Sequence, residues 1–158
     1  MSAEQLIIRD WNELDTEACI AAFESNLPEF FDLSEQALFV DFLHKIGEWS
    51  TRDIHYFTVE LDGSVIGCGG ICLTRELDKC CMAWGMIHRE HHKKGYGKKL
   101  LEYRIETWKR FFGDFPLVLD TTQYSAPFFE RMGFVITNVT SDYYAKGMDR
   151  YDMLYTPN

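Results

Sequence analysis

Apolar positions along the chain follow two periods, and the alternation between them sets out the elements. LIIRDW, Leu6–Trp11, has the character of a first strand. Asp15-Thr16-Glu17 then has the composition of a helix start, and a helix running through Ser25 turns Ala18, Ala22 and Phe23 inward. Pro28, within SNLPEFFDLS, breaks it, and Ser34 with Glu35 opens a second helix. There Leu38, Phe42 and Ile46 recur at helical spacing, Phe39 and Leu43 widen the stripe, and Gly47 weakens the end. IHYFTVEL (Ile54–Leu61) and VIGCGGICL (Val65–Leu73) flank Asp62-Gly63-Ser64, a strong hairpin signal. Gly67, Gly69 and Gly70 within the second strand predict a bulge or a close approach to the backbone, and a bend under a bulky neighbour fits equally.

A polar turn over Thr74–Asp78 precedes a strand at Cys80–His88, and a long helix spans Tyr96–Phe112 with Leu101, Ile105, Trp108 and Phe112 on one face. Gly113-Asp114 and Pro116 end it. PLVLDT then reads as a short buried strand, suited to a parallel position after a helical crossover. Ala126–Met132 forms a short helix with Pro127 in its first turn and Gly133 as its cap. Val135–Thr140 and Tyr151–Tyr155 are the last two strands, joined by SDYYAKGMDR. The order β-α-α-β-β-β-α-β-α-β-β predicts an α/β (α+β) fold, a mixed sheet covered by helices. No linker or repeat divides residues 1–158, so one domain is expected.

Composition narrows the partners. A formal charge of −9 argues against nucleic-acid binding and for cationic small molecules. No apolar run approaches a membrane span, and MSAEQLIIRDW lacks the basic and apolar parts of a signal peptide, so a cytosolic (cytoplasmic) protein with no membrane partner is expected. Cys19, Cys68, Cys72, Cys80 and Cys81 fit neither a disulfide framework nor paired metal knuckles and read mainly as core thiols, with a reactive cysteine as the alternative.

Against this acidic background, KCCMAWGMIHREHHKKGYGKKLLEYRIETWKRFF (Lys79–Phe112) gathers Arg89, Lys93, Lys94, Lys98 and Lys99 around Gly95-Tyr96-Gly97 at a helix start. Uncovered backbone N–H groups, the helix dipole and lysines together form a cradle for a phosphorylated ligand. A Walker A loop would need glycine where His92 stands and Ser or Thr where Lys99 stands; a dinucleotide fingerprint would need glycine at Leu100. His88, His91 and His92 lack the H-E-x-x-H pattern, and no metal is expected.

The segment HKKGYG resembles the Arg/Gln-x-x-Gly-x-Gly/Ala signature of the GNAT superfamily of acyl-CoA-dependent N-acyltransferases. AWGMIH is similar to that family's fourth strand, and APFFERMGF to its segment A-x-x-x-Tyr-Glu-Lys/Arg-x-Gly-Phe. The element order agrees along essentially the whole chain. The resemblance implies a GNAT-like fold with acetyl-CoA as cosubstrate. By it, His92, Lys93, Lys94, Gly95, Tyr96, Gly97 and Lys98 cradle the pyrophosphate. Met86, Ile87 and His88 border the pantetheine arm beside a splayed strand at Leu117–Asp120, and Phe129 lies near the thioester. His92 replaces the family's usual Arg or Gln, and Phe129 replaces its proton-donating Tyr.

Acyl transfer to an amine requires a neutral nucleophile, a polarised carbonyl and an exit for the thiolate. An alkyl amine is only about 0.1% neutral at pH 7, so a base is needed. The strand N–H near Ile87 is the expected carbonyl donor. Cys81 stands about where some relatives keep an acidic base, which leaves His88 and Glu76 as base candidates. Tyr124 or Ser125 is the candidate acid, and a thiol of pKa about 8.5 can also leave unaided. By resemblance the acceptor enters between SNLPEFFDLSE and SDYYAKGMDRYD. Glu29, Phe30, Phe31, Asp32, Asp142, Tyr143, Tyr144 and Asp149 in these segments suit a cationic amine, although packing and solubility explain the same residues. The expected activity is N-acetylation of a small primary amine. The alternatives are a non-catalytic acyl-CoA sensor and a protein lysine or N-terminal acetyltransferase. Expected partners are acetyl-CoA, a small cationic amine and, for the chain itself, a second copy in a homodimer.

Overall fold

The computed structural model describes residues 4–46 and 53–157; the expected weak helix end at Gly47 lies outside the described residues. Strand β1 (Leu6–Asp10) leads to helices α1 (Thr16–Ser25) and α2 (Gln36–Ile46), then to β2 (Ile54–Leu61), β3 (Ser64–Thr74) and β4 (Lys79–Ile87). Helix α3 (Tyr96–Phe112), β5 (Leu117–Thr121), α4 (Ala126–Arg131), β6 (Phe134–Ala145) and β7 (Met148–Tyr155) complete the expected order. The strands form one seven-stranded sheet, β1-β2-β3-β4-β5-β7-β6. Among the described residues only β4 and β5 pair in parallel, as a crossover through α3 requires.

The early helices begin where the sequence suggests, α1 at Thr16 and α2 at Gln36 just after Ser34 and Glu35, and a capping box with a 3-10 turn precedes each. Asn12 and Asp15 cap a 3-10 turn at Glu13–Asp15, and Asp32 and Glu35 cap another at Leu33–Glu35. Asp15 also locks the first layer to the sheet. Its carboxylate accepts from Arg9 Nη1 and Nη2 at 2.8 Å each, from the Asn12 N–H at 3.0 Å and from Thr58 Oγ1 at 2.8 Å. Burial alone would raise the Asp15 pKa; the hydrogen bonds from Arg9, Asn12 and Thr58 outweigh it and hold the carboxyl below its ordinary value.

The sheet is covered on both faces. Phe23 of α1 and Phe39 and Leu43 of α2 pack with Tyr56, Cys68, Ala83 and Met86. Leu101, Ile105 and Phe112 of α3 pack with Ile71, Leu73, Cys80, Leu117 and Met153. The α2 stripe is rotated from expectation: Phe39, Leu43 and Ile46 are buried, whereas Leu38 is 63% exposed. Cys19, Cys68 and Cys80 are buried, and Cys72 and Cys81 only partly so.

The β2–β3 hairpin turns on Asp62 and Gly63 at φ 50° and 85°, with Leu61 opposite Ser64. The last hairpin differs from the sequence reading. SDYYAKGMDR is not a connecting loop; β6 and β7 run on through it to a tight turn at Lys146-Gly147, with a register shift between Thr140 and Ala145. β6 is the sheet edge and most of its residues are exposed, so it has no inward face to impose an apolar alternation.

Candidate functional site

The site begins with a fault in the β3–β4 ladder. Gly70 pairs with Ala83 and Cys68 with Met86, so Trp84 and Gly85 together face Gly69. This bulge puts Trp84 at φ 33°, a position costly for a non-glycine residue. It is tied from two directions: Tyr56 Oη donates to the Trp84 carbonyl at 2.7 Å, and Arg104 Nη2 donates to the Ala83 carbonyl at 3.1 Å. Arg104 Nε also donates to the Gly70 carbonyl at 3.0 Å. The guanidinium needs its glycines, since a Cβ on Gly85 would stand 2.3 Å from Nη1. Of the expected β3 glycines, Gly69 faces this bulge, and a Cβ on Gly70 would stand 2.1 Å from the His55 carbonyl oxygen, so a bulge and a close approach both apply.

Below the bulge β4 meets β5 only at Cys80 with Leu117 and Cys81 with Val118. Past that point the two parallel strands part, and a cleft of about 980 Å³ opens between them. At its cradle end the chain passes Lys93 at φ 63° and Gly95 at φ 84° before α3 begins. A Cβ on Gly95 would meet nothing within 4 Å, so glycine is required there by its backbone angle and not by crowding. No side chain caps α3, leaving its first N–H groups free for an anion.

The neighbouring strand end is fixed through one carbonyl. Asn26 Nδ2 donates to the Ile87 oxygen at 3.0 Å and His92 Nε2 lies 2.8 Å from the same atom. His92 thus takes an inward, structural contact. His91 Nδ1, also on the cleft lining, is buried without a hydrogen-bond partner. A long channel between diverging strands, an uncapped helix start, flanking lysines and an orphaned ring nitrogen fit a diphosphate-bearing thioester cofactor such as acetyl-CoA.

Most of the expected residues are brought together. Met86, Ile87, His92, Lys93, Gly95, Tyr96, Gly97, Lys98 and Phe129 border the cleft, as do Tyr124, Ser125, Phe31, Tyr143 and Tyr144. Others fall elsewhere. His88 is not on the lining; its Nδ1 accepts the Glu90 N–H at 3.2 Å and caps the following turn. Glu76 is exposed in the β3–β4 turn, Lys94 is exposed and not on the lining, and Glu29 pairs with Arg89 at 3.0 Å outside the cleft. Phe30 reaches the lining at the cradle end, 5.5 Å from the His92 ring, and not among the expected acceptor residues.

Beside Tyr143 and Tyr144, the cleft mouth contains groups the sequence did not assign to a site. Glu35 turns into the cleft while its carboxylate accepts the Asp32 N–H at 2.8 Å. Burial raises the Glu35 pKa, with Asp32 and Asp120 adding to the rise and the Asp32 N–H opposing it. Tyr144 Oη donates to the Asp120 carboxylate in a short hydrogen bond. Arg150 stands 2.9 Å from Asp152, 3.8 Å from Asp120 and 4.8 Å from the centre of the Tyr143 ring. Leu38, Phe42 and Trp84 supply apolar wall. The capping box Asp32-x-x-Glu35 was the available signal for Glu35, and Leu38 is exposed because it faces this mouth. Among the described residues no three His, Cys, Asp or Glu side chains converge as a metal site, and no helix is long and apolar enough to cross a membrane.

The family model of the acetyltransferase (GNAT) domain matches residues 52–136, more than half of the chain. The chain belongs to the GNAT acetyltransferase family. Acetyl transfer with acetyl-CoA as cosubstrate follows from that membership. Solved structures share the fold. A GNAT-family protein from Desulfovibrio desulfuricans aligns with a TM-score of 0.78 at 20% identity, covering 95% of this chain and 98% of its own. The Salmonella typhimurium protein yncA, solved with its cofactor acetyl-CoA, gives 0.75 at 17% identity, with 98% and 95% coverage. The ribosomal-protein-S18-alanine N-acetyltransferase of Escherichia coli gives 0.71 at 18% identity, with 96% and 93% coverage. No curated protein sequence matches this chain at a significant level.

Proposed function

We propose that the protein acetylates a primary amine of a small cationic molecule by direct attack of the amine on the acetyl-CoA thioester. The observation that supports this most is the acidic, aromatic part of the cleft wall, where Glu35, Asp120, Tyr143, Tyr144 and Trp84 all line the same cleft as the cradle. Arg150 is already engaged by Asp120 and Asp152, which leaves the Glu35 carboxylate, with no ion pair among the described residues, to meet an ammonium group beside the aromatic rings.

The roles follow from placement. The α3 N-terminus, Lys93 and Lys98 hold the diphosphate, and the splayed edge of β4 at Met86 and Ile87 orients the pantetheine arm. Glu35 binds the acceptor ammonium and takes its proton; a raised pKa brings a carboxylate closer to the working pH of a general base. Tyr124, on the lining and 51% exposed, returns a proton to the departing sulfur, with Ser125 beside it as the other hydroxyl. Phe129 packs 5.8 Å from the Phe134 ring and contributes shape, not a proton.

A thiol-release assay with acetyl-CoA over polyamines, aminoglycosides, amino acids and peptides tests the reading. Release is expected with small cationic amines and not with acidic amines or peptides. Release with peptides alone would replace the small-molecule acceptor by a protein one. Cofactor binding without release from any acceptor would replace transfer by sensing.

A further inference from the structure

Arg104 is an anomaly in the core. It is 4% exposed, stands on the inward stripe of α3 between Leu101 and Ile105, and forms no ion pair with any carboxylate among the described residues. Two of its nitrogens donate to the Gly70 and Ala83 carbonyls, while Nη1 has no hydrogen bond among the described residues and is not one of the fully buried unpartnered atoms. Nη1 lies against Gly85, at the bulge where β4 borders the cleft, and Arg104 is part of the cleft lining. The groups that face it are Tyr56 of β2, Cys68 of β3 and Cys80 of β4. Burial drives Tyr56 and Cys68 well above their ordinary values and Cys80 up to about 12, so none is an anion near neutral pH. Burial also lowers the Arg104 pKa to about 10, which leaves the guanidinium charged.

An unpaired buried cation is costly unless something compensates it. We propose that Arg104 supplies a fixed positive charge to the reacting thioester, its free Nη1 stabilising the thiolate that departs as the acceptor attacks. The inference rests on the reading that this cleft holds acetyl-CoA. In the step, the nitrogen lone pair forms the new N–C bond, and the C–S pair stays on sulfur. The ammonium gives one proton to Glu35 before attack, and the second N–H proton, lost as the amide forms, passes to water. Sulfur departs with anionic character against Nη1 and takes up the Tyr124 proton afterwards, so stabilisation by charge lessens the need for the concerted proton that a tyrosine at position 129 would give. Gly85 belongs to the same device, because a Cβ there would stand 2.3 Å from Nη1.

The test is the ionisation of CoA bound to the full chain, read as the ultraviolet thiolate difference between protein with and without CoA across pH. A free thiol ionises near pKa 8.5. The bound thiol is expected at least about one unit lower, a tenfold gain in thiolate. Arg104→Met returns it to the free value or above while CoA still binds, and Arg104→Lys keeps part of the shift. Gly85→Ala, which displaces Nη1, shrinks the shift and serves as the second variant if Arg104→Met does not fold. A bound thiol with unshifted or raised pKa overturns this inference alone, as does a shift that persists in Arg104→Met or, where that variant does not fold, in Gly85→Ala. Absence of CoA binding overturns this inference and the cofactor reading together.

Discussion

Asn26 Nδ2 donates to the Ile87 carbonyl at 3.0 Å, joining the end of α1 to the end of β4 across 61 positions of sequence. The same nitrogen donates to the Ala22 carbonyl at 2.8 Å, so one buried amide both ends a helix and fixes the strand edge that borders the cleft. Asn26→Ala removes both bonds. The expected cost is about 1–3 kcal/mol for the buried groups left unpaired, a fall in Tm of roughly 2–4 °C per kcal/mol, and weaker acetyl-CoA binding. Thermal melts with and without acetyl-CoA check it: the variant should lose more stabilisation by ligand than the parent.

Glu35→Gln separates activity from stability. Burial holds the Glu35 carboxyl above its ordinary pKa, so the folded chain binds that proton more tightly than the unfolded chain does. The associated stability is present below the unfolded pKa and is lost as pH rises through the folded one. Gln keeps the cap that accepts the Asp32 N–H, without the buried charge. The variant is expected to melt slightly higher than the parent at neutral pH. Its kcat should fall by about 10²–10⁴, the usual contribution of a general base, and the acidic limb of its pH–rate profile should flatten.

Asp15 behaves in the opposite sense. Although burial opposes ionisation, Arg9, Asn12 and Thr58 hold its carboxyl below the ordinary value. Its contribution is present above the unfolded pKa and disappears as pH falls through the folded one. Asp15→Asn is expected to lower the Tm at neutral pH, with the gap to the parent closing in acid. Melts across pH 2–7 read the convergence.

Gly95→Ala tests the cradle. At φ 84°, with open space around a Cβ, the substitution costs only the left-handed backbone, about 1–2 kcal/mol. Relaxation of that strain moves the first N–H groups of α3, so affinity for acetyl-CoA should fall while the far side of the sheet is undisturbed. Gly95→Asn, which tolerates this region better, should fall less. Titration of both variants with acetyl-CoA orders them.

Legibility in the sequence followed burial. α3, β2 and β5 have a buried face or a buried length, and their hydrophobic patterns marked them almost to the residue. The cradle was legible for another reason: left-handed glycine and clustered lysines are local signals that need no tertiary contact. The far part of β6, beyond the expected Val135–Thr140, and the start of β7 were not legible, since an exposed edge strand is held by its ladder and not by apolar alternation. Side chains aimed into the cleft misled in both directions. Leu38 was assigned to the core because an apolar wall of a ligand site has the composition of a core. Glu35 was read only as a helix opener, because nothing in its neighbours reports Asp120, which reaches it through the fold. Arg104 did leave a sign: a cation at the i+3 position of the Leu101, Ile105, Trp108 stripe has no solvent to face.

The most direct test of the account is calorimetric titration of acetyl-CoA into the full chain and into Gly95→Pro. Saturable binding at one site is predicted for the parent, with loss in Gly95→Pro, whose ring cannot adopt φ 84°. No binding to the folded parent, or equal binding to both, would contradict the assignment of acetyl-CoA to the cleft between β4 and β5.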